Sequence, residues 1–412
     1  MRILVVTQYF WPENFRINDL ALGLRDAGHD VTVLTGVPNY PAGRFFPGYG
    51  WFRKMREDYS GVDVIRVPII PRGNGGGLRL TLNYLSFVLF ACLFGPVRCR
   101  GGFDLIFVYE PSPITVGLPA IVFKKLKRAP IMFWVLDLWP ESLAATGAVT
   151  SPRILKGVRW LVGFIYKHCD RVLVQSQAFV EPVARVGAAR DKILYFPNWA
   201  ESLFQSGHSE KTTLSAGLFP EGFRVMFAGN VGAAQDFPTI LSAAELLRSE
   251  TDIHWLIVGD GRMLTWVREQ VEQRGLTRTV HLLGQHPLEV MPQFFDKADV
   301  MLVTLKREAI FSLTIPGKLQ SYLAFGKPVV AALDGAGAQV VQEAGAGRTC
   351  AAEDPQALAH AVLAMRRTSE AERISMGQNG KAYYAKNFER AMLLARLQRW
   401  MQELAAARPA TT

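Results

Sequence analysis

Cysteine is scarce: the 412 residues hold four, Cys92, Cys99, Cys169 and Cys350, with no paired spacing that would surround a metal ion. So few thiols exclude a disulfide framework and predict a reduced, cytoplasmic setting. The opening MRILVVTQYF lacks the basic region, long apolar core and small-residue cleavage site of a secretory leader, and reads as a strand of the mature fold. No GxGxxG fingerprint follows the first strand, which argues against a bound dinucleotide. Helices rich in Lys and Arg with interleaved aromatics are also missing, so nucleic acid is not an expected partner.

What is present is a globular composition, 49% hydrophobic and 20% charged, long enough for two or three domains. Charge is uneven. Residues 1–200 carry 24 Lys and Arg against 14 Asp and Glu, while the rest balances at 22 of each, so the net +10 sits in the first half. An anionic membrane face or a phosphate-bearing lipid is the expected partner of that half.

In chain order, a strand over 2–7, a polar loop WPENFRIN, a helix over 20–27 stopped by Gly28 and a strand over 30–34 form a βαβ start. The loop lies at the carboxyl edge of the first strand, where a doubly wound sheet takes its ligand, and Asn14, Arg16 and Asn18 offer donors there. Residues 38–58 hold too many Pro, Gly and aromatics for regular structure and predict a long loop on the same edge. Strands over 62–67, 105–109, 131–136 and 171–175 complete the first α/β domain. Between two of them lies LRLTLNYLSFVLFACLFGPV, residues 78–97. It approaches the roughly 20 apolar residues of a spanning helix, but Arg79, Asn83 and Ser86 interrupt one half and Gly95-Pro96 the other. Transmembrane, buried-core and interfacial positions stay open. Spanning would split one sheet across a bilayer, whereas interfacial packing would turn Phe87, Leu89 and Phe94 to lipid beside Arg98, Arg100, Lys124, Lys125, Lys127 and Arg128.

A polar stretch over 201–217 predicts a linker. Beyond it, strands over 223–228, 253–258, 280–283 and 300–305 alternate with helices, and small-residue loops follow them: Gly229-Asn230-Val231-Gly232, with Gln235, and Gly259-Asp260-Gly261. The most informative stretch is 304–332, TLKREAIFSLTIPGKLQSYLAFGKPVVAA. Pro316 suits a first helical turn and Gly317 admits close approach of a ligand, so a helix is expected from about Ile315 to Gly326. Its free N–H groups with Lys318 would bind a diphosphate, although an ordinary αβ unit with a surface lysine has the same pattern.

Six segments together resemble the retaining GT-B glycosyltransferases of family 4, in the branch of bacterial O-antigen and colanic-acid sugar transferases. They are YFWPENFRINDLALGLRDAGHDVTVLTGVPNYPAG, FWVLDLWPESL, YFPNW, FAGNVGAAQD, VGDG and TIPGKLQSYLAFGKPVVA. The resemblance covers essentially the whole chain. It implies an α/β fold of two facing Rossmann-like doubly wound domains: 1–200 for the acceptor, 201–385 for the nucleotide sugar, and 386–412 as a helix returning to the first. It implies a UDP- or GDP-type sugar donor, no cofactor, a lipid-linked saccharide acceptor, and work at the cytoplasmic membrane surface, peripheral on the inner face, in surface-polysaccharide synthesis. With no internal D-x-D triplet, metal-independent transfer is expected, with protein groups offsetting the leaving diphosphate.

Departures from the family pattern shift the expected roles. The family's two spaced glutamates fall at Ser312 and Gln320, and its Arg and Lys after the first strand of the second domain fall at Asn230 and Gln235. Diphosphate charge would then pass to Lys318 and the helix at Pro316, with Arg16 contributing from the other domain and Glu308 a candidate for the missing acid. Asp137 stands where many relatives have histidine, and Glu141 lies one turn on; either carboxylate could meet the acceptor hydroxyl or the reacting sugar. Two other classes share this architecture: a sugar-nucleotide epimerase, and a noncatalytic nucleotide-sugar-binding subunit.

Overall fold

The computed structural model describes residues 1–407 apart from Asn74, Thr146 and 207–215. Two compact units form, one of residues 1–197 with the chain from Ala391 onward, the other of residues 198–390. The stretch expected as a linker lies partly outside the described residues. Its beginning is no free tether: Leu203–Ser206 is helical, and buried Phe204 stacks on Phe295 with ring centroids 4.9 Å apart.

The first unit is built on Arg2–Val6 (β1), Asp30–Gly36 (β2), Arg56–Tyr59 (β3), Val62–Val67 (β4), Leu105–Glu110 (β5), Ile131–Val135 (β6), Arg171–Val174 (β7) and Ile193–Tyr195 (β8). These form one sheet in the order β3-β4-β2-β1-β5-β6-β7-β8, parallel except for β3. Strands such as RILVV and LIFVYE are apolar on both faces because helices cover both sides. Sequence order reverses direction between β1 and β5, which makes the loops after these strands the ligand-binding edge. Short β3, REDY, lies within the stretch expected to be irregular and pairs with only one neighbour at the sheet margin.

Helix Gly77–Arg98 crosses from β4 to β5 and is turned inside out. By length and composition it could cross a membrane. Yet its inner face uses polar groups: Asn83 is 0% exposed, accepts from Gln8 Nε2 at 2.7 Å and donates to the Ile70 carbonyl at 2.6 Å, while Ser86 Oγ accepts from Ile70 N at 2.9 Å. Phe87, expected to face lipid, is also buried, beside Ala91 and Gly95. A side chain on Gly95 would lie 3.0 Å from Leu34 and Phe123, so the helix sits tight on the sheet. Leu78, Leu82, Leu85, Leu89, Leu93, Phe94 and Val97 point outward, 41–78% exposed. A helix that joins two strands of one sheet and packs along it does not span.

The second unit contains Phe223–Ala228 (β9), Ile253–Val258 (β10), Val280–Gly284 (β11), Val300–Thr304 (β12), Val329–Ala332 (β13) and Gly347–Cys350 (β14). They form a wholly parallel sheet, β11-β10-β9-β12-β13-β14, reversing between β9 and β12. Helix Glu370–Asn387 begins with a Ser369/Glu372 capping box and packs against Gly317–Phe325. Contact is close enough that a Cβ on Gly377 would lie 2.0 Å from the Gly326 carbonyl. The last helix, Arg390–Ala406, clusters with the first unit, where Trp400 meets Phe196 edge-on at 6.2 Å.

Candidate active site

In the second unit, helix Gly317–Phe325 starts one residue later than Pro316, which takes the N-cap position at φ −63° and ψ 132°. Its extended ψ keeps the proline outside the first turn where it was expected. Gly317 is exposed and would carry a side chain into open space. Tyr322 fixes the helix over the end of β9: its hydroxyl accepts from Ala228 N at 3.0 Å and donates to Ala228 O at 3.1 Å.

That anchorage aims Lys318 across the sheet edge. Its Nζ donates to Gln235 Oε1 at 2.7 Å and lies 3.6 Å from the centroid of the Phe227 ring. Burial pushes its pKa well below the usual lysine range, and among the described residues no carboxylate pairs with it. The loops after β9 and β10 meet backbone to backbone, Val231 N donating to Asp260 O at 2.8 Å and Met263 N to Val231 O at 3.0 Å. A Cβ on Gly259, at φ +140°, would lie 1.9 Å from the Gly229 carbonyl, so only glycine fits. Asn230 and Asp260 are exposed here and Gly232 half-buried.

The structure therefore brings Asn230, Gly232, Gln235, Gly259, Asp260, Pro316, Gly317 and Lys318 to one edge at the reversal of the sheet. Glu308 is exposed and caps the short helix Ala309–Ser312, whose Ser312 Oγ donates back to the Ala309 carbonyl at 2.8 Å. Gln320 is differently employed. It is 1% exposed, and its amide donates to Asn198 O at 2.8 Å, bracing the start of the unit.

In the first unit, helix Arg16–Asp26 begins four residues before the expected start, so Arg16 and Asn18 lie on it rather than in a loop. Asn18 is buried; its side chain accepts from Trp11 N at 3.1 Å and donates to Glu13 O at 2.7 Å. Asn14 remains an exposed loop residue, and Arg16 lies beside Tyr109 at the end of β5. Glu13, overlooked in the sequence, gathers the loops: it accepts from Phe10 N at 3.3 Å, Asn39 N at 2.8 Å and Tyr40 N at 2.7 Å. Burial outweighs these bonds and raises its pKa to about 7.

Asp137 follows β6 and accepts from the Trp139 indole at 3.2 Å. Burial raises its pKa although Ser142, Trp139, Leu138 N–H and Ser112 all favour the charged form. Its neighbour, also unanticipated, is Glu110, the last residue of β5. Glu110 is 0% exposed; Oε2 faces Asp137 N at 3.4 Å and Oε1 has no described partner. Burial and the Asp137 charge hold its carboxyl well above the usual range, so it keeps its proton where ordinary glutamates have lost theirs. Glu141, by contrast, forms a half-exposed ion pair with Arg159 at 3.1 Å and is not part of this carboxyl pair. An acid closing an otherwise apolar strand, LIFVYE, was the available signal for Glu110.

The raised pKa of Glu110 has a pH signature. Unfolded, this carboxyl ionises near pH 4.3; folded, it holds its proton higher, so its contribution to stability is complete below about pH 4 and is lost as pH rises through the folded value. Glu110→Gln has no proton to lose. The wild-type melting temperature is therefore expected to fall relative to that of Glu110→Gln between about pH 4 and pH 8, whereas parallel curves would show that Glu110 ionises normally.

Comparison with known proteins matches residues 14–199 to the Glycosyl transferase 4-like domain and residues 222–367 to Glycosyl transferases group 1. Similar proteins include the probable glycosyltransferase WbjE of Pseudomonas aeruginosa, 28% identical over 350 residues, covering 76% of this chain and 84% of the relative. The putative colanic acid biosynthesis glycosyl transferase WcaI of Escherichia coli K12 is 25% identical over 338 residues, covering 79% and 82% respectively. Among solved structures, HepE of Anabaena in complex with UDP and glucose superposes with a TM-score of 0.66 at 16% identity, over 98% of this chain and 100% of its own. Two doubly wound sheets give the chain a GT-B fold, and the two domain matches, over 14–199 and 222–367, support a glycosyltransferase similar to family 4.

Proposed function

We propose that the protein transfers a sugar from a nucleoside diphosphate donor to a saccharide carried on polyprenyl diphosphate, with retention at the anomeric carbon and without a metal ion. The observation that carries this reading is Lys318, a half-buried lysine at the first turn of its helix with no carboxylate beside it among the described residues. A leaving diphosphate supplies the missing charge, and preorganised donors there act most strongly as that charge develops. HepE, crystallised with UDP and glucose, supports a uridine-type donor, and the naming of WcaI for colanic acid supports a surface-polysaccharide product.

In this scheme the bond between the anomeric carbon and phosphate oxygen breaks as the acceptor hydroxyl enters on the same face, and the hydroxyl proton passes to the departing diphosphate. Asp137 would contact the acceptor hydroxyl, with Glu110 behind it as a neutral acid that orients it. Lys318→Ala is expected to lower turnover on the order of 10²-fold. The assay is transfer from UDP- and GDP-sugars to a polyprenyl-diphosphate saccharide, run in EDTA, with the product's anomeric configuration read by NMR. Variant turnover within twofold of wild type, an inverted product, or dependence on added magnesium or manganese would each contradict the corresponding part.

The first unit would work on the inner face of the plasma membrane. Helix Gly77–Arg98 turns Asn83 and Ser86 inward and its leucines outward, and helix Gly117–Lys127 beside it packs on Pro152–His168. These neighbours expose Leu126, Ile154 and Trp160 among Lys125, Arg128, Arg153 and Lys156. Replacing Leu82, Leu85 and Leu89 by Ser is expected to abolish flotation with anionic vesicles while leaving the melting temperature intact, since these side chains are already in solvent. Wild-type protein that fails to float would refute docking.

A further inference from the structure

A second cation without an acid stands in the first unit. Arg72 follows β4, six residues ahead of Leu78, where the outward apolar row of helix Gly77–Arg98 begins. Its backbone is fixed by Arg72 N donating to Asn39 Oδ1 at 3.0 Å, and Asn39 N in turn donates to Glu13. The guanidinium lies 4.9 Å from the centroid of the Tyr40 ring, which holds its plane without consuming an N–H. One Nη makes a long bond to Tyr9 OH at 3.4 Å; among the described residues, no carboxylate pairs with the group. Most of its donor fork is therefore unspent, and a planar fork is suited to two phosphate oxygens at once.

Arg72 also lies at one end of a connected path. Tyr9 lies beside Tyr84, Tyr84 beside Ser112, and Ser112 beside Asp137. Tyr9 stacks on Phe15 at 5.0 Å and Tyr84 lies 6.3 Å from Trp139, so aromatic faces line the way between the guanidinium and the carboxylate. Outward from Asp137 the order is aromatic rings, of which Tyr9 and Trp139 are buried and Tyr84 half-buried, then Arg72, then exposed leucines. A lipid-linked saccharide presents the same order: sugar, diphosphate, isoprenoid chain.

We propose that Arg72 binds the diphosphate of the acceptor, holding its sugar on the Tyr9–Tyr84 side toward Asp137 while its lipid leaves along Leu78 and Leu82. This rests on the reading of the protein as a glycosyltransferase with a lipid-linked acceptor and assigns the residue that recognises that acceptor's anion.

The test compares two acceptors with the same sugar, one on a short isoprenyl diphosphate and one on a neutral alkyl chain. Arg72→Ala is expected to raise KM for the diphosphate acceptor about 10- to 100-fold more than for the neutral one, as loss of a charge-assisted bond requires. Arg72→Lys should restore part of the difference, and the melting temperatures should agree. Equal effects on both acceptors would overturn the assignment. Direct binding of farnesyl diphosphate, followed by tryptophan fluorescence, separates this inference from the broader one: if wild type transfers to no acceptor yet binds the probe at least tenfold more tightly than Arg72→Ala, the glycosyltransferase reading fails and the anion site stands. No difference in probe binding overturns the site even if transfer is normal. Loss of binding to anionic phospholipid vesicles in Arg72→Ala, without a KM split, would assign the residue to membrane headgroups instead.

Discussion

Partly burying a lysine amine with no carboxylate beside it is costly, and half-buried Lys318, which among the described residues has none, is held in that state by the fold around it. Gln235 and the face of Phe227 solvate it only partly. The surrounding structure keeps it there: Tyr322 clamps the helix that carries it to Ala228, and glycines at 229, 259 and 261 let two loops close to backbone contact. A site built this way has its donors in place before the ligand arrives, which is the condition for strong electrostatic stabilisation of developing charge.

The first unit solves a different problem, how to hold loops at a sheet edge while leaving a greasy surface outside. Its answer is a polar seam under an apolar helix. Gln8, Asn83, Asn39 and Glu13 bond to one another and to the backbones of the loops after β1, β2 and β4, with Gln8 Oε1 alone left without a described partner. Because Asn83 and Ser86 of Gly77–Arg98 are spent inward, its leucines are left to face outward. Buried networks of this kind fix one arrangement strongly when every member is paired. Arg72, Tyr9 and Tyr40 inherit their positions from that seam through Asn39 and Glu13.

Much of the fold could be read from residue patterns because both sheets are parallel and buried. Runs such as VMFA, WLIV and MLVT admit few other readings, and Gly229 and Gly259 after the first two mark the edge. Short marginal strands escaped: REDY and GRTC are too brief and too polar to carry a period. On the anion edge, Pro316, Gly317 and Lys318 were visible as a local unit, but the absence of a carboxylate partner is a property of the folded surroundings. Gln320 and Glu141 show how much contacts depend on the fold. Their types and spacing suited a site, whereas in the fold one amide is committed to the Asn198 carbonyl and one carboxylate to Arg159. Glu110 and Glu13 were passed over because a lone acid at a strand end or in a loop gains meaning only from burial, and Phe87 because hydrophobicity does not say which way a helix faces.

The claim that an uncompensated Lys318 receives the donor's diphosphate is tested most directly by titrating UDP and GDP into the protein by calorimetry at about pH 8 to 9, in buffers of different ionisation enthalpy. Nucleotide phosphates are fully ionised there, since phosphate monoesters lose their last proton near pH 6. A diphosphate beside the lysine raises its depressed pKa, so binding should take up protons, weaken as pH rises, and lose both properties in Lys318→Met. Binding with no proton uptake, and with equal affinity in wild type and Lys318→Met, would contradict the account.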